Sequence, residues 1–203
     1  MKTKRIGRPR EFDRDKALRK AMELFWEQGY EATSLADLQK VMGGITPPSF
    51  YAAFGSKETL FREAIELYKK THGAPIAKAL AEGPTARASI EAFLRVATEK
   101  FRRPGSPRGC MMLLSGINCL PANKGIEAFM REQRSVREKV IRKRLRRGVA
   151  EGDMSEKADV NALVSFYTGV ADALALRAKD GASRKVLASI VDYAMAAWDN
   201  VLA

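Results

Sequence analysis

The stretch from Thr33 to Leu60, TSLADLQKVMGGITPPSFYAAFGSKETL, leaves this chain little local freedom. Ser34 stands before LADLQKVM with Asp37 three residues on, a capping-box arrangement in which side chains satisfy the free N–H groups of a first helical turn. Leu35, Leu38, Val41 and Met42 then fall on one helical face. Gly43 and Gly44 stop that helix. Thr46 is placed to cap the next one, whose first turn holds Pro47 and Pro48, where a missing N–H has no intrahelical partner to lose. After Ser56 a further helix starts at Lys57. This layout is that of a helix-turn-helix.

The formal charge of +12 is unevenly placed. Met1 to Arg10 carries Lys2, Lys4, Arg5, Arg8 and Arg10 with no acid, and Arg131 to Arg147 carries nine basic residues against Glu132 and Glu138. These segments hold +5 and +7, so everything else sums to zero. A basic balance gathered in an arm and on one helix suits a polyanionic partner. Around Arg8 and Arg10, Gly7 and Pro9 keep the backbone slim and extended, the form of a minor-groove hook in A·T-rich DNA; a plain basic tail would attract phosphates only. A charge run on a helix also suits a solvated face, so Arg131 to Arg147 stays open between that role, added DNA attraction and the attraction of an anionic effector.

A chain of 203 residues rich in Ala, Leu, Glu, Lys and Arg, with no alternating strand pattern, is expected to be all-α and to bury one sizeable core plus a small appendage. No apolar run approaches the roughly 20 residues of a membrane span, and the charged start is no signal peptide, so a soluble, cytoplasmic protein is expected without a membrane partner. With two Cys and one His, no metal site or other cofactor is expected. No nucleophile-base set, phosphate-cradling loop or carboxylate pair with motif spacing points to an enzyme.

The run GITPPSFYAAFGSKETL resembles the signature of the TetR family of one-component bacterial transcription regulators, which carries glycine, an aliphatic residue, Ser or Thr, then Tyr, Phe, a Lys-Glu pair and Leu. The resemblance covers the first third of the chain. It implies a flexible basic arm over 1–11, a DNA-binding domain over 12–56 and a helical effector-binding and dimerisation domain over 57–203. It also implies a homodimer on a palindromic operator in double-stranded DNA, acting as a repressor released by a small molecule. A ligand-independent or redox-responsive DNA binder is the alternative.

On that resemblance Thr46, Pro47, Ser49, Tyr51 and Ala52 face the major groove, Tyr51 and Ser34 place hydroxyls on phosphates, and Phe50 and Phe54 face the core. The recognition helix holds no Arg, Lys, Asn or Gln, the side chains that make bidentate contacts to guanine and adenine. Readout then leans on hydroxyls, thymine methyls, DNA shape and the arm residues Arg5, Arg8 and Arg10. Lys57 at a helix N-terminus conflicts with the helix dipole, and a phosphate removes the conflict.

Further helices are expected over Phe12 to Gln28, Lys57 to His72 with Gly73 as its stop, Pro75 to Ala81, Thr85 to Arg103, Phe129 to Val149, Ala158 to Lys179 and Ser183 to Leu202. CMMLLSGINC reads as an apolar segment of helical length. On a continuous helix Cys110 and Cys119 would stand roughly 13 Å apart, too far for a disulfide. Phe93, Phe101, Cys110, Met111, Leu114, Phe129, Phe166 and Tyr167 are the candidate pocket lining. On Phe129 to Val149, Val136 and Val140 are expected inside and the arginines outside. Val170, Leu174, Leu187, Ile190, Val191, Ala194 and Trp198 are the candidate dimer interface, by the four-helix bundle that the resemblance implies.

Overall fold

The structure, a computed structural model, describes residues 13–201, and these are all-helical. The helices are α1 (Arg14–Ala32), α2 (Leu35–Val41), α3 (Pro47–Phe54), α4 (Lys57–Tyr68), α5 (Ala74–Glu82), α6 (Ala86–Phe101), α7 (Met111–Leu114), α8 (Lys124–Ala150), α9 (Val160–Lys179) and α10 (Arg184–Val201). Their starts follow the caps. Asp13 accepts from the Lys16 N–H, Thr46 from Ser49, Ser56 from Thr59, Thr85 from Ala88 and Asp159 from Asn161 and Ala162. Ser34 and Asp37 form the complete capping box. Each such cap stabilises its helix by about 1 kcal/mol.

The N-terminal unit is tied together by aromatic packing. Phe25 on α1 meets Phe61 on α4 edge-on at 5.0 Å, Tyr30 meets the same ring at 5.0 Å, and Phe50 and Phe54 anchor α3 from beneath. Trp26 and Tyr30 are buried, as packing residues. At Gly29 the backbone turns to φ 82°, a region open to glycine, and this kink is where regular α1 ends. In the C-terminal unit α6 packs against α5, α8, α9 and α10, burying Ile90, Phe93, Leu94, Ala97 and Phe101. Removing a buried leucine or phenylalanine side chain from such a core costs about 2–5 kcal/mol.

Three segments depart from the sequence reading. Gly73 does not stop α4: the chain runs through a π-helical turn, Lys69–Gly73, straight into α5, because the Gly73 backbone is itself helical. CMMLLSGINC makes only the single turn α7, then enters a strap over 115–123 of turns and bends that closes in a 3₁₀ turn, Pro121–Asn123. Cys110 and Cys119 therefore share no helix, and both are free thiols. The basic helix begins at Lys124, before Phe129. Met130, Ile141 and Leu145 form its buried face, while Val136 and Val140, expected inside, are exposed and Arg144, expected outside, is buried.

Burial of Arg144 works because partners surround it. Its Nε donates to Ser89 Oγ at 2.7 Å and its Nη2 to the Gly83 carbonyl at 3.3 Å, with Asp153 3.7 Å away. Asp153 in turn accepts from the Ala86 N–H at the start of α6. A buried guanidinium without such partners would be strongly destabilising. Here it locks α8 to the α5–α6 turn.

Candidate nucleic-acid interface and cavity

Helix α3 presents one polar, convex side. Thr46, Pro47, Ser49, Tyr51 and Ala52 are all exposed, Tyr51 at 52%, while Phe50 and Phe54 on the opposite side are buried. The Thr46 hydroxyl donates to Ser49 Oγ at 2.9 Å and accepts from the Ser49 N–H, so both hydroxyls stand together at the helix start. Ser34 is exposed, but its hydroxyl donates to Asp37 at 2.5 Å. That hydrogen bond lowers the Asp37 carboxyl pKa. Arg5, Arg8 and Arg10 lie outside the described residues.

Arg14 is a positioning residue missed in the sequence. Its Nε donates to the Ala53 carbonyl at the end of α3, its guanidinium covers the Phe54 ring at 4.6 Å, and its Nη2 pairs with Glu63 on α4 at 2.7 Å. One side chain thus fixes α3 against α1 and α4. No local motif marks it, since its partners are 39 and 49 residues away.

Lys57 stands at the first position of α4, beside the Ser56 cap. Its ammonium lies over the Tyr30 ring at 4.3 Å, and partial burial lowers its pKa. The adjacent Glu31 holds the strap: its carboxylate accepts from the Leu120 N–H at 2.8 Å and from Asn123 Nδ2 at 2.9 Å. Upstream, Ser115 donates its hydroxyl to the Phe25 carbonyl and accepts from the Tyr30 N–H. Gly116 passes so close to Met130 that a Cβ there would meet Cγ at 2.6 Å.

The strap leads back to a cavity of about 300 Å³. Tyr68 from α4, Ile76 and Leu80 from α5, Phe93 and Phe101 from α6, Cys110 just before α7, Met112 within it, and Arg134, Val136, Arg137 and Val140 from α8 line it. Of the predicted lining, Phe93, Phe101 and Cys110 are there. Met111, Leu114, Phe129, Phe166 and Tyr167 are not among the lining residues. Met111 points into the core while Met112 takes the wall, and Phe129 packs under Arg62 of α4. Tyr167 is buried with its hydroxyl donating to the Ala194 carbonyl, and Phe166 is exposed on the outer side of α9. At the cavity end, the Tyr68 hydroxyl donates to Cys110 Sγ at 3.6 Å, and burial pushes the Tyr68 pKa up.

Residues 17–64 match the family described as bacterial regulatory proteins, tetR family. Across 97% of its length the chain is 31% identical to the HTH-type transcriptional repressor ComR of Escherichia coli K12, covering 93% of that protein. The chain belongs to the TetR family. It is a helix-turn-helix transcriptional regulator, in a family that is not enzymatic. It is also similar to the repressor BdcR of the same organism, with 36% identity over 53% of this chain and 54% of BdcR. Among solved structures it resembles a cysteine mutant of the TetR family regulator CifR complexed with 26-bp double-strand operator DNA. The identity is 41%, the TM-score 0.90, and the match covers 94% of this chain and all of that one.

In this TetR-family chain most of the candidate interface residues of α9 and α10 point into the subunit. Leu174, Leu187, Val191, Ala194 and Trp198 are buried inside the subunit, packed against α6 and each other, and Val170 and Ile190 are half-buried. The apolar side chains facing out are Phe166, Leu176, Val186 and Tyr193, the last 80% exposed. Counting apolar positions on α9 and α10 did not separate the inward stripe from this second one.

Proposed function

We propose that this TetR-family protein is a homodimeric repressor of a palindromic operator, released when a small molecule fills the cavity. The observation that carries the DNA half is the split of α3 into a buried Phe50–Phe54 side and an exposed Thr46–Ser49–Tyr51 side. CifR, whose structure with operator DNA this chain resembles over nearly its whole length, supports the same reading. Thr46, Pro47, Ser49, Tyr51 and Ala52 take the groove, Ser34 and Lys57 take phosphates, and Arg5, Arg8 and Arg10 extend the contact. Such a protein works where bacterial DNA lies, in the cytoplasm. Among the described residues no helix is long and apolar enough to cross a membrane.

The subunits meet through the exposed Phe166, Leu176, Val186 and Tyr193 stripe, an apolar surface of the kind a monomer does not leave in water. Residues 12–56 then read DNA and 57–203 dimerise and bind effector, with α4 shared between them.

Two connections carry the signal. Tyr68, Lys69 and Gly73, at the end of α4 and in its π turn, line the cavity, while Lys57 lies at the other end of that helix. Cys110 and Met112 line the same cavity just before the strap that Glu31 and Ser115 fasten to α1. A ligand that moves either wall retilts the reading heads, which must stand about 34–36 Å apart to fit one DNA turn. The test is selection of bound duplexes from random sequence, repeated with a compound library. A symmetric site released by at least one compound supports the reading. Recovery of no preferred site contradicts it.

A further inference from the structure

The basic helix α8 places Arg134 and Arg137 in the cavity wall, both only partly buried. Arg134 Nη1 and Arg137 Nε are both buried, and neither has an acceptor. These two nitrogens have almost no accessible surface, as has Arg144 Nη1, so they do not themselves face the cavity; a charged N–H donor without an acceptor is costly all the same, and a small turn of either guanidinium toward the cavity lets it meet one. Lys69 and the Nη2 nitrogen of Arg137 are already matched. Lys69 pairs with Glu66 at 2.8 Å and donates to Gln133 at 3.0 Å, and Arg137 Nη2 pairs with Asp172 at 2.8 Å. Arg134 alone among these has no ion pair among the described residues, so the cavity wall carries one unbalanced positive charge.

The rest of the wall is largely apolar. Leu80 and Phe93 are buried, and Val136 and Val140 expose aliphatic surface. Resting on the cavity's reading as the effector site, we propose that its ligand is an amphipathic anion: a compact aromatic or aliphatic body carrying a carboxylate or similar acid. The apolar body fills the space among Leu80, Phe93 and the valines, and the acid accepts from Arg134 and Arg137. Both parts are required. An apolar neutral molecule leaves the two N–H groups unmatched, and a small inorganic anion leaves the apolar wall wet.

The probes are 2-naphthoate and its neutral counterpart 2-naphthalenemethanol, titrated calorimetrically into the full-length protein near pH 7.5, where the acid is ionised. The naphthoate is expected to bind about ten-fold more tightly, and Arg134→Gln to bring the two close to parity without weakening the alcohol. Arg134→Lys, which keeps the charge, retains a preference for the acid. Thermal melts of both variants verify folding, and Arg137→Gln is a second variant with the same expected loss of preference. Equal or tighter binding of the alcohol by the unaltered protein overturns the anion assignment but leaves the cavity as an effector site. Binding of neither probe also overturns it, whereas the effector reading itself falls only if no library compound releases the selected operator.

Discussion

Lys57 and Tyr30 form one unit, with the ammonium 4.3 Å above the phenol ring and the Glu31 carboxylate among the charges acting on it. The ring limits where the ammonium can go and so orients it beside the start of α4. Lys57→Ala is expected to weaken binding to all duplexes about equally and to reduce the salt-dependence slope by about one unit. Fluorescence anisotropy across a salt series on preferred and scrambled duplexes checks this. A loss limited to one base identity would assign Lys57 to base reading instead.

Glu31 fastens the strap through the Leu120 N–H and Asn123. Glu31→Ala strands these donors at the junction of the two units. Hydrogen exchange over residues 115–123 is expected to speed up, with a stability loss of about 1–3 kcal/mol in denaturant melts. Unchanged exchange there would mean that the strap holds without this carboxylate.

Tyr193 and Leu174 separate the two apolar stripes of the C-terminal helices. Tyr193→Glu places a charge on the exposed face and is expected to yield folded monomers in sedimentation experiments, with weakened operator binding. Leu174→Ala opens the subunit core, costing about 2–5 kcal/mol of stability while the oligomeric state stays the same. The reverse pattern would return the interface to the inward stripe.

His72 lies in the π turn, stacked on Tyr68 at 5.3 Å and edge-on to Trp26 at 4.9 Å. Burial, then Arg103 and Lys100, lower its pKa below the ordinary 6.5, with Glu23 opposing. Its neutral form is therefore favoured by folding, and this contribution is fully present above pH 6.5 and lost as pH falls from there through the lower folded value. Urea melts across that window are expected to show the decline, and His72→Asn to flatten it.

Much of the reader was legible because its determinants are local. Ser34 with Asp37, Thr46 with two prolines, and Ser56 each specify a helix start within four residues. Phe93, Phe101 and Cys110 were found as cavity residues from composition and resemblance. Arg14, Glu31 and Arg144 were missed because their roles depend on partners 39 to 92 positions away, a distance over which helical periodicity says nothing. On α8 the charge pattern misled directly: Arg144 looked solvated, yet hydrogen bonds to Ser89 and Gly83 and the Asp153 carboxylate 3.7 Å away accompany its burial, with Nη1 left unpartnered. Gly73 misled in the opposite way, since glycine permits a helix end without requiring one.

In the proposed complex the exposed side of α3 enters the major groove of a twofold-related site. Photocrosslinking from a benzoylphenylalanine placed at position 51, on the selected duplex, tests it most directly. Crosslinks to bases in two symmetric clusters about 34–36 Å apart along the duplex are expected. A protein that stays bound but crosslinks to no base, or only within its own chain, would contradict it.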